Sequence, residues 1–177
     1  MGHSYGSLLG AGYVAKYPER VERYIGIGQS ISIKDTQKMN YNEVAYLLKD
    51  DKKKSDKLTM AYKCLQESFS LENLMKFQRI TLPCFVGNMP DIKQTNRIKL
   101  ILSSPDLAFT DIKWLLGMLN LKAHYARNKK LLDYTLSANI YHIGNEYSVP
   151  MYFISGEYDK SCRVELLKKY FFRYNSN

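Results

Sequence analysis

Two short strand-like runs, far apart in the chain, constrain the fold more than any other feature. Val21 to Ile27 carries β-branched and aromatic residues up to Gly26 and Gly28. Met151-Tyr152-Phe153-Ile154-Ser155 is continuous and stops at Gly156, after Val149-Pro150. An apolar run of this length with no alternation is the pattern of a strand covered on both faces, as in parallel sheets. Parallel neighbours need a crossover connection between them. The two runs are therefore expected to lie side by side as strands 21 to 27 and 151 to 155, with the first left open at its other edge, a liability for aggregation or an invitation to a complementing chain.

Residues 31 to 147, between the runs, have helical periodicity. Tyr41, Val44, Ala45 and Leu48 share one face; Leu58, Ala61, Leu65 and Phe69 another; Ile112, Leu115, Leu116 and Leu119 a third. Ser70 and Thr110 are placed to cap helices, and Pro83, Pro90 and Pro105 predict several short helices instead of one long one. A helix over Ser7 to Tyr17, stopped by Pro18, precedes the first strand, and one over Arg163 to Tyr174 follows the second. The fold class this predicts is α/β: a short parallel sheet in a core of residues 1–30 and 148–177, with a large helical cap inserted at 31–147.

Composition removes several alternatives. The 177 residues are 45% hydrophobic and 24% charged, the balance of a globular chain with a real core. No apolar stretch approaches the roughly 18 residues of a membrane span, and Met1-Gly2-His3-Ser4 has no leader pattern, so a cytoplasmic protein is expected. The net charge of +9 lies mainly in the insertion, yet Lys52-Lys53-Lys54 is flanked by Asp50, Asp51 and Asp56 with no interleaved aromatics. That is a solvated face and not a nucleic-acid track. Cys64, Cys84 and Cys162 are odd in number and widely spaced, so they read as buried free thiols, with no disulfide framework, metal site or cofactor expected.

Chemistry enters with Gly2-His3-Ser4-Tyr5-Gly6, a G-x-S-x-G pattern immediately ahead of a helix. A serine on a sharp strand-to-helix turn is lifted clear of the sheet, and the glycines two residues either side let neighbouring backbone pass close by. The same turn aims the Tyr5 N–H and the positive helix end at the place where an oxyanion would form. A carboxylate then follows the later strand in Gly156-Glu157-Tyr158-Asp159.

With the Tyr17-Pro18-Glu19-Arg20-Val21 turn between elbow and strand, the chain resembles the α/β-hydrolase superfamily, and its opening is similar to the proline iminopeptidase-like branch. The resemblance covers residues 1 to 30 and 149 to 174; the middle is similar to that branch's helical cap by position and length. It implies an acyl-enzyme mechanism on a peptide N-terminus or a small ester or amide. Ser4 would be the nucleophile, Tyr5 N–H an oxyanion donor and Asp159 the acid that orients the base. The aromatic residues Tyr41, Tyr46, Tyr62, Phe69, Trp114 and Tyr125 are expected either to line a pocket over Ser4 or to form the cap's own core.

The pattern departs from the family in one decisive way: the base should follow the acid, but no histidine follows His142. His3 is adjacent to the serine and is expected to point away from it. The glycine-rich loop that would supply a second oxyanion donor is also absent, and the resemblance implies about 100 further residues ahead of Met1, several strand-helix units of roughly 30 residues each. The expectation is a truncated serine hydrolase, inactive alone. The other reading is a non-catalytic remnant or subunit that binds a partner through its sheet edge and cap.

Overall fold

The computed structural model describes residues 1–86, 103–108, 110–113, 121–143 and 147–174. They belong to two compact units, Met1–Asn88 with Asp133–Asn177, and Met89–Leu132. Trp114, Pro90 and the expected face at Leu115, Leu116 and Leu119 lie outside the described residues.

The first unit holds a three-stranded parallel sheet in the order β1 (Gly2–His3), β2 (Tyr24–Ile27), β3 (Met151–Ile154). The register pairs Gly2 with Gly26 and His3 with Ile27, then Tyr24 with Met151 through Ile27 with Ile154. The two strands read from sequence do lie side by side in parallel. The expected open edge on the first of them is not there: β1, only two residues long, occupies it, so β2 is central and the edges belong to β1 and β3. A strand this short carries no periodicity of its own, which is why it was invisible in the sequence.

One face of the sheet carries Tyr24, Met151 and Phe153. Helix α1 (Tyr5–Lys16) packs there through Ala11 and Val14, and a C-terminal helix (Val164–Tyr174) through Leu166, Leu167 and Tyr170. Burying these side chains contributes about 1.5–3 kcal/mol apiece. The other face carries Ile25, Ile27, Tyr152 and Ile154, and the last two remain 53% and 59% exposed. The apolar run at 151–155 is thus covered on one face only, contrary to its pattern.

Between β2 and β3 the first unit contains α2 (Ile33–Leu47), α3 (Lys52–Glu67) and α4 (Leu71–Val86). Ser32 caps α2 by accepting from Asp35 N at 3.2 Å, and Asp51 caps α3 by accepting from Lys54 N at 3.0 Å. The lysine run is therefore the exposed first turn of a capped helix. Ser70 Oγ accepts from Asn73 N at 3.3 Å, as a cap should. Pro83 does not interrupt α4 but lies inside it, near its C-terminal end, where its missing N–H removes one i→i−4 hydrogen bond. The three helices share a core of Val44, Leu58, Leu65, Leu74 and Phe77, closed by stacking of Tyr41 on Tyr62 with ring centroids 4.1 Å apart.

A fifth helix, α5 (Leu121–Ser137), kinks at Asn128. In the second unit the described residues also include a helical turn at 110–113, where Thr110 is already helical and Ala108 N donates to Asp111 Oδ2 at 3.0 Å. The insertion leaves and returns at one point. Ser32 bridges Asn139, and Ile140 N donates to Ile31 O at 2.8 Å, with Ile31 and Ile140 both buried. With the C-terminal helix as α6, the order is βαβ, a helical excursion, then βα. Among the described residues no helix is long and apolar enough to cross a membrane.

Candidate functional site

The carboxyl ends of parallel strands are where open α/β sheets place ligands, and the singled-out residues Ser4, Tyr5 and Asp159 all lie at that end. Ser4 follows β1, Gly28 follows β2, and Asp159 lies in the loop after β3. Ser4 has φ 51° and ψ −119°, the one positive φ outside glycine among the described residues. A side chain in that region costs of order 1–3 kcal/mol and persists only where the surroundings impose it. Ser4 occupies the N-cap position of α1, yet its hydroxyl makes no capping bond. A serine present only to cap the helix would make that bond.

The surroundings that impose the turn are buried and polar. Ser4 N donates to Ile27 O at 2.9 Å, and Ser7 N to Ser4 O at 2.9 Å, while Ser7 Oγ also donates to Ser4 O. Ser30 N donates to Ser7 Oγ at 3.0 Å, and Gln29 Nε2 to Ser7 O at 3.2 Å and Ser30 O at 3.0 Å. Tyr24 Oη lies 3.0 Å from Ser7 O and 3.1 Å from Gln29 Oε1, so its single proton serves one of them at a time. Burial, with Tyr147 nearby, pushes the Tyr24 phenol up to about 12. A Cβ on Gly2 would stand 2.6 Å from Gly6 O and 2.8 Å from Ser7 Cα, so the first glycine of the motif is sterically required. A Cβ on Gly6 would meet nothing within 4 Å. Tyr24, Ser7 and Gln29 were not singled out in the sequence; a buried polar cluster leaves no periodic signal.

Tyr5 is the first residue of α1, and first-turn N–H groups have no partner within their own helix. Its backbone donor thus stands where an anion would be stabilised. Asp159 Oδ1 accepts from Ser161 N and Cys162 N, both at 2.8 Å, and Asp159 N donates to Gly156 O at 3.2 Å. Asp159 Oδ2 faces the position a Gly28 Cβ would occupy, 3.5 Å from it, and Gly28 itself has φ 53°. Ser4 follows β1 and Asp159 follows β3, so Gly28, at the end of the central strand β2, lies between them.

Neither His3 nor His142 bridges Ser4 and Asp159. His3 and His142 are exposed and hydrogen-bond to neither Ser4 nor Asp159, and His124 lies on α5. Of the cysteines, only Cys162 is buried as expected; Cys64 is exposed and Cys84 half-buried. Burial, reinforced by the Asp159 charge, pushes the Cys162 thiol up to about 11. Among the described residues no group of His, Cys, Asp and Glu could hold a metal ion.

The insertion meets the acid loop at Glu43. Burial alone would raise its carboxyl, but hydrogen bonds and charge from Lys160 and Arg163 hold it below the ordinary carboxylate range. Of the expected pocket aromatics, Tyr41, Tyr62 and Phe69 pack into the helices' own core and Tyr46 is exposed. Comparison of the chain with protein-family models, with curated proteins and with solved structures finds no match.

Proposed function

We propose that this chain carries the catalytic core of a serine hydrolase of the α/β-hydrolase type, acting through an acyl-enzyme. The observation that carries the reading is the strained Ser4 at a strand-to-helix turn, its hydroxyl making no capping bond, with the end of β2 between it and a held carboxylate in the loop after β3. Ser4 Oγ attacks the acyl carbonyl while its proton passes to an imidazole oriented by Asp159; the imidazolium returns that proton to the departing alcohol or amine as its bond to the acyl carbon breaks. The Tyr5 N–H and the positive end of α1 stabilise the oxyanion, and water then releases the acyl group.

Removing the base from a serine triad costs about 10⁶ in kcat, near 8 kcal/mol at roughly 1.4 kcal/mol per tenfold. These 177 residues are therefore expected to be inactive alone and to acquire reactivity when the base is supplied from outside them.

The test is labelling with a fluorophosphonate, with and without added imidazole, followed by peptide mass mapping. Ser4 Oγ bonds to phosphorus, fluoride leaves, and the proton goes to imidazole. Imidazole-dependent labelling at Ser4, lost in Asp159→Ala, supports the reading. Labelling spread over exposed serines and tyrosines, indifferent to Asp159, sinks it.

A second reading, a non-catalytic subunit that binds a partner, is favoured by one observation. A parallel sheet normally has both faces covered, yet Tyr152 and Ile154 leave one face of this sheet bare. Sedimentation of wild type beside Tyr152→Lys/Ile154→Lys tests it: association abolished by the lysines favours this reading, and a monomer in both removes it.

A further inference from the structure

Asp159 sits in an irregular loop, and the groups orienting it are two amides, Ser161 N and Cys162 N. What holds those amides lies on either side of them. Lys160 O accepts from Asn40 Nδ2 at 3.1 Å, and Lys160 Nζ reaches Glu43 Oε1 at 2.7 Å. Arg163 is 3% exposed; its Nε and Nη2 donate to Asn40 Oδ1 at 2.8 and 2.6 Å, and Nη2 also meets Glu43 Oε2 at 2.6 Å. Its Nη1 lies 3.6 Å from Glu165. The Phe85 ring of α4 lies under both cations, at 5.3 and 5.6 Å from its centroid.

Buried ion pairs contribute little net stability, because desolvation offsets the attraction. A forked guanidinium bound at fixed angles does supply direction. We propose that Arg163, assisted by Lys160, is a positioning residue: it clamps the acid loop to α2 of the insertion, so that the seating of α2 and the orientation of the Asp159 carboxylate are one event. The carboxylate's role as acid rests on the hydrolase reading; the clamp itself does not. Of the clamp's partners, Asn40 and Glu43 come from α2 and Phe85 from α4, all in the same compact unit as the acid loop.

The experiment compares wild type with Arg163→Met, which keeps volume and loses direction, and Arg163→Lys, which keeps charge and loses the fork. Amide hydrogen exchange is read at Ser161 and Cys162 against Tyr24 and Gly28 in the sheet. In both variants the loop amides are expected to exchange about tenfold faster relative to the sheet amides, as loss of a charge-assisted bond implies. The imidazole concentration for half-maximal Ser4 labelling rises by a similar factor, with the saturating rate unchanged.

Equal acceleration in loop and sheet would mean general destabilisation and overturns the proposal, as does rescue by lysine. If the arginine variants do not fold, Glu43→Gln, nearly isosteric, is read the same way. If wild type is never labelled at Ser4 while the exchange pattern holds, the hydrolase reading fails and the clamp stands.

Discussion

Replacing Ser4 by glycine should stabilise the protein, although it deletes the residue assigned as nucleophile. At φ 51° and ψ −119° the serine carries strain of about 1–3 kcal/mol, which glycine does not feel. Glycine gives back about 0.4–1 kcal/mol through the greater freedom of the unfolded chain. The net gain is about 0.5–2 kcal/mol, a Tm rise of about 1–8 °C for a chain of this size. Ser4→Ala keeps the Cβ and therefore the strain, and the hydroxyl makes no capping bond to lose. Alanine should leave stability within about 0.5 kcal/mol of wild type. Urea unfolding with a constant m value reads both. If glycine and alanine behave alike, or if alanine costs the ~1 kcal/mol of a lost cap, the turn is an ordinary helix start and the strain argument is wrong.

The two glycines of the motif should separate in the same assay. Gly2→Ala drives a methyl onto backbone atoms 2.6 and 2.8 Å away and should cost about 3 kcal/mol, while Gly6→Ala meets open space and should cost nothing; equal losses would contradict the packing described. Glu43 has its carboxyl held below its ordinary 4.5. Its contribution is present above that pH and lost as pH falls through the lower folded value. The Tm difference between wild type and Glu43→Gln should be constant from neutral pH down to about 5 and shrink below 4.5; a difference unchanged at pH 3 would remove the ion pairs from the account. Cys162, buried with its thiol pushed up to about 11, should resist iodoacetamide at pH 8 while exposed Cys64 reacts. Mass mapping that finds both alkylated at similar rates would show the acid loop to be open.

Local chemistry made parts of the molecule legible in the sequence. The run Met151–Ile154, Gly2 ahead of Ser4, and Pro18 after α1 each act through their own sterics, whereas Gly6, the second glycine of the motif, has open space around it. Periodicity placed α2 and α3 because one face of each is apolar. What was not legible depends on residues meeting across long separations. The two-residue β1 exists only because Gly2 and His3 find Gly26 and Ile27. The bridge from Ser32 to Asn139 that closes the insertion, and the contacts of Arg163 with Asn40 and Glu43, join residues with no shared pattern. The exposure of Tyr152 and Ile154 was hidden for the opposite reason: their sequence is that of a strand covered on both faces, yet both side chains are exposed.

The central claim is that position 4 and the 159 carboxylate share one site across the end of β2. Paramagnetic relaxation tests it directly, with a nitroxide on Ser4→Cys after Cys64→Ser and Cys84→Ala. The amides of Gly28, Ser161 and Cys162 should lose their signals together, while Val21, at the opposite end of the sheet, keeps more of its intensity. Full intensity at Ser161 and Cys162 beside a bleached Val21 would place the serine and the acid apart and contradict the account.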